Sequence, residues 1–143
     1  MLEAFNDHYD CNYVASWLSC LDKSMSSWLS KFCPGLMCVP RKPHSFGIEY
    51  HTIADGDQGK PILFQIKLVK GKDCPKKADG TCAFPSEFNH LQKTTKRMLE
   101  MTKPLYGMGK VVVADSSFCV CDGVVACHNK GVYMQAYVKK CGH

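Results

Sequence analysis

The sequence has no apolar run approaching 18 uncharged residues, so no segment reads as a membrane-spanning helix. It has no signal-peptide pattern: Met1 to Asp10 carries Glu3, Asp7 and Asp10 where a basic start and an apolar stretch would be needed. It contains no Asn-x-Ser/Thr acceptor, no Cys-x-x-Cys pair, no internal repeat and no low-complexity tract. These gaps argue against secretion, membrane insertion and repeat architecture, and the chain reads as intracellular. The ten cysteines, Cys11, Cys20, Cys33, Cys38, Cys74, Cys82, Cys119, Cys121, Cys127 and Cys141, are therefore expected as free thiols. The closest pairs, Cys119/Cys121 and Cys33/Cys38, lack the usual zinc-knuckle spacing. A redox or zinc-binding domain built on these cysteines stays open, and metal analysis of the purified protein would decide it.

What is present fits one globular domain. The chain has 143 residues, 45% of them hydrophobic and 22% charged, enough to bury a sizeable core. Its net charge of +5 is unevenly spread. From Lys60 to Lys110 there are eleven Lys/Arg and four Asp/Glu, an excess of seven that suits a polyanion partner as well as it suits a solvated surface.

Hydrophobic periodicity predicts an α/β chain. Tyr13 to Leu21 reads as a strand ending at Asp22. Ile48 to Ala54 alternates, with Ile48, Tyr50, Thr52 and Ala54 on one face and Glu49, His51 and Ile53 on the other. Asp55-Gly56-Asp57-Gln58-Gly59 is a turn cluster, and Ile62 to Val69 forms the return strand of an antiparallel hairpin. Residues 70–85 are rich in Lys, Gly, Pro and Asp and read as a polar loop. A helix capped by Ser86 is predicted from Glu87 to about Met101, with Phe88, Leu91, Thr95, Met98 and Leu99 on its apolar side. Pro104 stops it. Val111-Val112-Val113-Ala114 is an interior strand followed at once by Asp115. Ser116 or Ser117 caps a second helix from Phe118 to Asn129, weakened at Gly123 and ended at Gly131. Tyr133 to Lys139 is the last strand. The first three strands should be antiparallel neighbours, and the later two should return through helices and run parallel.

Asp22 and Asp115 stand out because each closes an apolar run. On adjacent parallel strands their carboxyl groups would emerge at one sheet edge, within roughly 4–8 Å, the span of one or two shared ions. Carboxylates held together repel one another unless a cation lies between them. Mg²⁺ takes such hard oxygen ligands and keeps waters for substrate phosphates. The plainer alternative is that each Asp caps the turn it begins, and Asp115 before Ser116-Ser117 fits that well. Asp55 and Asp57 read as turn residues.

Leu21-Asp22-Lys23-Ser24-Met25 resembles the first catalytic motif of piggyBac-type transposases of the DDE/DDD, IS4-like class. Pro40-Arg41-Lys42-Pro43-His44-Ser45-Phe46-Gly47 is similar to that family's Pro-x-Lys-Pro-x-x-x-Gly segment, and Ala54-Asp55 to the end of its second strand. Val113-Ala114-Asp115-Ser116-Ser117-Phe118 resembles the second catalytic motif, and Lys130-Gly131-Val132-Tyr133 through Lys140 the turn and strand that follow. The resemblance runs from about Tyr13 to Lys140. It implies a ribonuclease-H-like fold forming one partial catalytic domain over residues 1–143, DNA strand cleavage and transfer, a nuclear location, and Asp22 and Asp115 as catalytic residues binding Mg²⁺ or Mn²⁺. Lys23 stands where an acidic residue is common, and Ser117 where an aromatic is common. No Asp or Glu lies beyond Asp122, so the family's third catalytic acid has no counterpart in the sequence. Its amino-terminal DNA-binding region and cysteine-rich zinc domain have none either. The expectation is weak metal binding and no cleavage by this chain alone. DNA would be held by Lys67, Lys70, Lys72, Lys76, Lys77, Lys93, Lys96 and Arg97. The alternative is a non-enzymatic module that binds DNA, or pairs with a full-length transposase or with itself as a dimer.

Overall fold

The run Val111-Val112-Val113 is too apolar for a surface, and the chain buries it inside a sheet with a strand on either side. The computed structural model describes residues 1–28, 32, 36–40, 43, 45–56, 59, 61–69, 87–88 and 90–138. In chain order the elements are α1 (Leu2–Asn12), β1 (Leu18–Ser27), β2 (Met37–Cys38), β3 (Phe46–Asp55), β4 (Ile62–Leu68), α2 (Lys93–Thr102), a 3-10 turn at Lys103–Leu105, β5 (Lys110–Ala114), α3 (Cys121–Asn129) and β6 (Val132–Ala136).

The sheet has six strands in the order β2-β3-β1-β5-β6, with β4 also paired to β3. β1 and β3 are antiparallel from Ser19↔Asp55 to Ser27↔Gly47. β3 and β4 are antiparallel, with a register shift between Ile53 and Ala54. β5 lies parallel to β1 and to β6, reached through α2 and α3 as parallel neighbours require. This is the expected mixed α/β sheet, antiparallel first and parallel later.

The core forms on one face. Leu21, Ile53, Val112, Ala114 and Val132 rise from the sheet and meet Met98, Leu99, Met101, Leu105, Phe118 and Cys127. Gly123 explains itself here. A Cβ on it would lie 2.5 Å from Met98 Sδ, so its hydrogen lets α3 close onto α2. Gly131, at φ +74, reverses the chain after α3, a backbone region that costs glycine little.

Several boundaries differ from the sequence reading. The strand expected from Tyr13 begins at Leu18, because Leu2–Asn12 forms a helix that the sequence reading did not foresee. Asn6 of α1 bonds the open edge of β4 as another strand would: Nδ2 donates to Ile66 O and Oδ1 accepts from Ile66 N, both at 2.9 Å. Tyr13 to Ser16 is pinned by buried Asp55, which accepts from Tyr13 Oη at 2.8 Å, Ser16 N at 2.6 Å and Ser16 Oγ. Asp22 does not end β1. The strand continues to Ser27 because β3 still pairs with it after β5 has stopped at Ala114. The helix expected from Glu87 starts at Lys93, after a turn at Glu87 and Phe88, and the cap proposed at Ser86 falls outside the described residues. The second starts at Cys121, since the segment after Asp115 is drawn into a turn that delivers Phe118 to the core. The final strand is Val132–Ala136 rather than 133–139. The polar loop at 70–85 also lies outside the described residues.

Candidate active site

Parallel pairing of β1 with β5 ends at Leu21↔Ala114. Asp22 and Asp115 are the next residue on each chain. Neighbouring strands run about 4.8 Å apart, so the two residues leave the sheet side by side. Alternation sets their face. Ser19 and Leu21 are buried in β1 while Cys20 and Asp22 are exposed, and Ala114 is buried while Asp115 is exposed. Both carboxylates therefore stand on the side away from the core. The two acids that the sequence singled out thus follow directly on the last paired residues of neighbouring parallel strands.

Each carboxylate uses one oxygen locally. Asp22 Oδ1 accepts from Lys23 N at 2.7 Å. Asp115 Oδ1 accepts from Ser117 N at 2.8 Å and from Ser117 Oγ, and Phe118 N donates to Asp115 O at 3.1 Å. The capping role weighed for Asp115 is thus present, and it orients the side chain. In each residue Oδ2 makes no hydrogen bond among the described residues, which leaves one hard oxygen per residue, a donor set that fits Mg²⁺ or Mn²⁺. Among the described residues no group of three or more His, Cys, Asp and Glu side chains is arranged to hold a metal ion.

Beneath the pair, on the core face, lies a polar cluster that the sequence reading missed. His51 is 1% exposed. Its Nε2 is 3.0 Å from Glu49 Oε1, and its Nδ1 is buried without a partner. Burial, together with the nearby Arg97 charge, pushes its pKa down to about 4, so the ring is neutral at pH 7 and donates Nε2–H to Glu49. The ring meets Phe118 edge-on at 5.1 Å and 78°. The available signal was its alternation with Ile53 on one face of the predicted strand.

The basic residues proposed for nucleic acid divide into groups. Lys67 and Lys96 converge on Glu100 of α2, the latter at 3.9 Å. Arg97 is half-buried, its pKa lowered by burial and supported by Glu49 and Glu100. Lys93 is exposed at the start of α2. Lys70, Lys72, Lys76 and Lys77 lie outside the described residues. Cys11, Cys20, Cys38, Cys119, Cys121 and Cys127 are free thiols. A cleft of about 340 Å³ lined by Tyr9, Tyr13, Phe64, Leu105 and Met108 opens beside α1, and neither Asp22 nor Asp115 reaches it. Among the described residues no helix is long and apolar enough to cross a membrane.

Comparison with known proteins bears on the fold and the family. No curated protein matches the chain in sequence. The fold is similar to that of the piggyBac transposase in its cryo-EM synaptic complex with hairpin DNA, with a TM-score of 0.72 at 15% identity. The likeness covers 96% of this chain and 26% of that one, so this chain spans about a quarter of its structural relative. The family model for IS4 transposases matches residues 1–142. The chain shares its fold with part of the piggyBac transposase and belongs to the IS4 transposase family.

Proposed function

We propose that this chain carries the first part of a cut-and-paste DNA transposase catalytic core, a single partial domain over residues 1–143 whose polar loop spans residues 70–85. Asp22 and Asp115 are its two metal-binding carboxylates. The observation that supports this reading is the parallel register of β1 and β5, whose last paired residues, Leu21 and Ala114, immediately precede the two acids. Bound there, Mg²⁺ or Mn²⁺ would activate the attacking oxygen and stabilise the leaving oxygen of a phosphodiester. Asp22, in the middle of a strand paired on both sides up to its own position, is the rigid partner. Asp115, at the head of a turn, is aimed by Ser117. Two carboxylates by themselves are too few protein ligands to fix two ions. The chain alone therefore binds the ion weakly and does not cut DNA.

DNA is the proposed partner, in the nucleus. Support comes from family membership, from the excess of basic residues between Lys60 and Lys110, and from the hairpin DNA in the piggyBac complex. Lys93 with Lys70, Lys72, Lys76 and Lys77 would supply most of the phosphate contacts. Lys67, Lys96 and Arg97 are partly committed to Glu100 and Glu49. The same charge excess, set beside only two site carboxylates, favours a second reading: a module that binds DNA or pairs with a full-length transposase, or with itself as a dimer, without chemistry of its own. The test incubates the purified chain with labelled duplex DNA and Mn²⁺, beside the Asp22→Ala, Asp115→Ala double variant. Salt-sensitive binding without nicking is expected. Nicking by the native chain and not by the variant would show that two carboxylates suffice.

A further inference from the structure

We propose that Lys23, Phe118 and His51 form a positioning stack that locks the Asp115 turn to β1 and so holds Asp115 beside Asp22. The proposal rests on the reading of those two acids as a cation site. Lys23 follows Asp22, so its side chain leaves β1 on the opposite, core-facing side. There its Nζ lies 5.1 Å from the centroid of the Phe118 ring. His51 is the cross-strand partner of Lys23 in the β1–β3 register, and its ring edge meets Phe118 at 5.1 Å. Two neighbouring side chains, one from each strand, thus grip one aromatic ring.

That ring is the anchor of the turn. Phe118 is 1% exposed, and its amide donates to Asp115 O at 3.1 Å. Glu49 holds His51 from behind at 3.0 Å. The chain of contact runs Glu49, His51, Phe118, Asp115, and Lys23 closes it from the first acidic motif. A lysine over an aromatic face is attracted by the ring quadrupole, more strongly when partly shielded from water. Lys23 is half-buried. The residue after Asp22 therefore reaches across the core face to the Asp115 turn and ties the two acidic segments together, which an acidic side chain there could not do with a ring face.

Two measurements on the full 143-residue chain decide this. The first is amide hydrogen exchange at Ser117 and Phe118, both bonded to Asp115, with Val112 as the reference. Lys23→Met and Phe118→Leu should each speed exchange at Ser117 and Phe118 by about fivefold while Val112 is unchanged, and Lys23→Arg should preserve protection. Unchanged protection in Lys23→Met would overturn the proposal, even if Phe118→Leu proved too unstable to study. The second is Mn²⁺ affinity. By repulsion alone, removing a lysine charge near the acids should tighten Mn²⁺. The stack predicts the opposite sign, a weakening of about threefold in Lys23→Met that Lys23→Arg reverses. Tighter binding in Lys23→Met would show that Lys23 acts as a charge and not as a positioning residue. If Asp22→Ala and Asp115→Ala both keep native Mn²⁺ affinity, the cation-site reading fails, and the exchange data still decide whether the stack holds the turn.

Discussion

Replacing Gly123 with Ala sets two known magnitudes against each other. Within a helix, Ala is favoured over Gly by about 1 kcal/mol, so α3 alone would gain from the change. The new Cβ, however, would lie 2.5 Å from Met98 Sδ, 3.1 Å from Met98 Cε and 3.6 Å from Thr95 Cα. The first distance is far inside van der Waals contact. Met98 is fully buried among Leu99, Val112 and Phe118, so its thioether must displace packed neighbours to yield. Overpacking of this kind costs about 1–3 kcal/mol, and methionine's flexibility favours the lower half of that range. The net expectation is a loss of up to about 1 kcal/mol in Gly123→Ala. Met98→Ala removes the opposing atoms at its own cost of about 2–5 kcal/mol. On that background, adding Gly123→Ala should stabilise by up to about 1 kcal/mol, since only the helix preference remains. Urea denaturation of the two single variants and the double variant reads both signs. A Gly123→Ala variant more stable than the native chain would refute the claim that α2–α3 packing requires glycine there.

Asp55→Asn should destabilise the protein by about 2 kcal/mol, because a buried carboxylate that accepts from Tyr13 and Ser16 becomes neutral. Spectrophotometric titration should show Tyr13 at about 12 in the native chain, raised by burial and then by Asp55, and shifted back toward 10 in the variant. His51, held near 4 against an ordinary 6.5, binds fewer protons in the folded state than in the unfolded state across that window. Stability is then fully present above about pH 6.5 and is lost as pH falls toward 4, by up to about 1.4 kcal/mol per pH unit. Denaturation of His51→Phe over the same range should give a flatter profile, and an identical profile would exclude His51 as its source. Glu100→Gln releases Lys67 and Lys96, so it should tighten binding to duplex DNA and steepen its salt dependence, and unchanged binding would place these lysines away from the DNA.

How much of this was legible in the sequence varied with the source of each signal. The run 111–114 and the alternation of 48–54 are local patterns of burial, and both became strands where expected. That β1 and β5 lie side by side was only a condition of the sequence reading, because three other strands separate them in the chain and the fold alone sets Leu21 beside Ala114. The helix at Leu2–Asn12 was not legible, since no residue of it is buried and its hold on the protein, through Asn6 and Asp10 on β4 and Tyr9 against the core, comes from distant parts of the chain. The late start of α3 depends on a turn closed by particular side chains, Asp115 with Ser117. Among the proposed DNA-binding residues, charge was visible but pairing was not. Glu100 sits on the same helix as Lys96 and Arg97, while its other partner, Lys67, lies on β4 and is brought near only by the fold. His51 reads as an ordinary polar strand residue until the fold places it under Phe118.

The central claim is that Asp22 and Asp115 share one divalent cation. Paramagnetic broadening tests it most directly. As Mn²⁺ is titrated into the isotopically labelled chain, the amide signals of Lys23, Ser116 and Ser117 should broaden together at the same low occupancy, ahead of the rest of the protein. Asp22→Ala and Asp115→Ala should each abolish the effect at both segments. Broadening confined to one segment, or retained at one after loss of the other acid, would contradict a shared site.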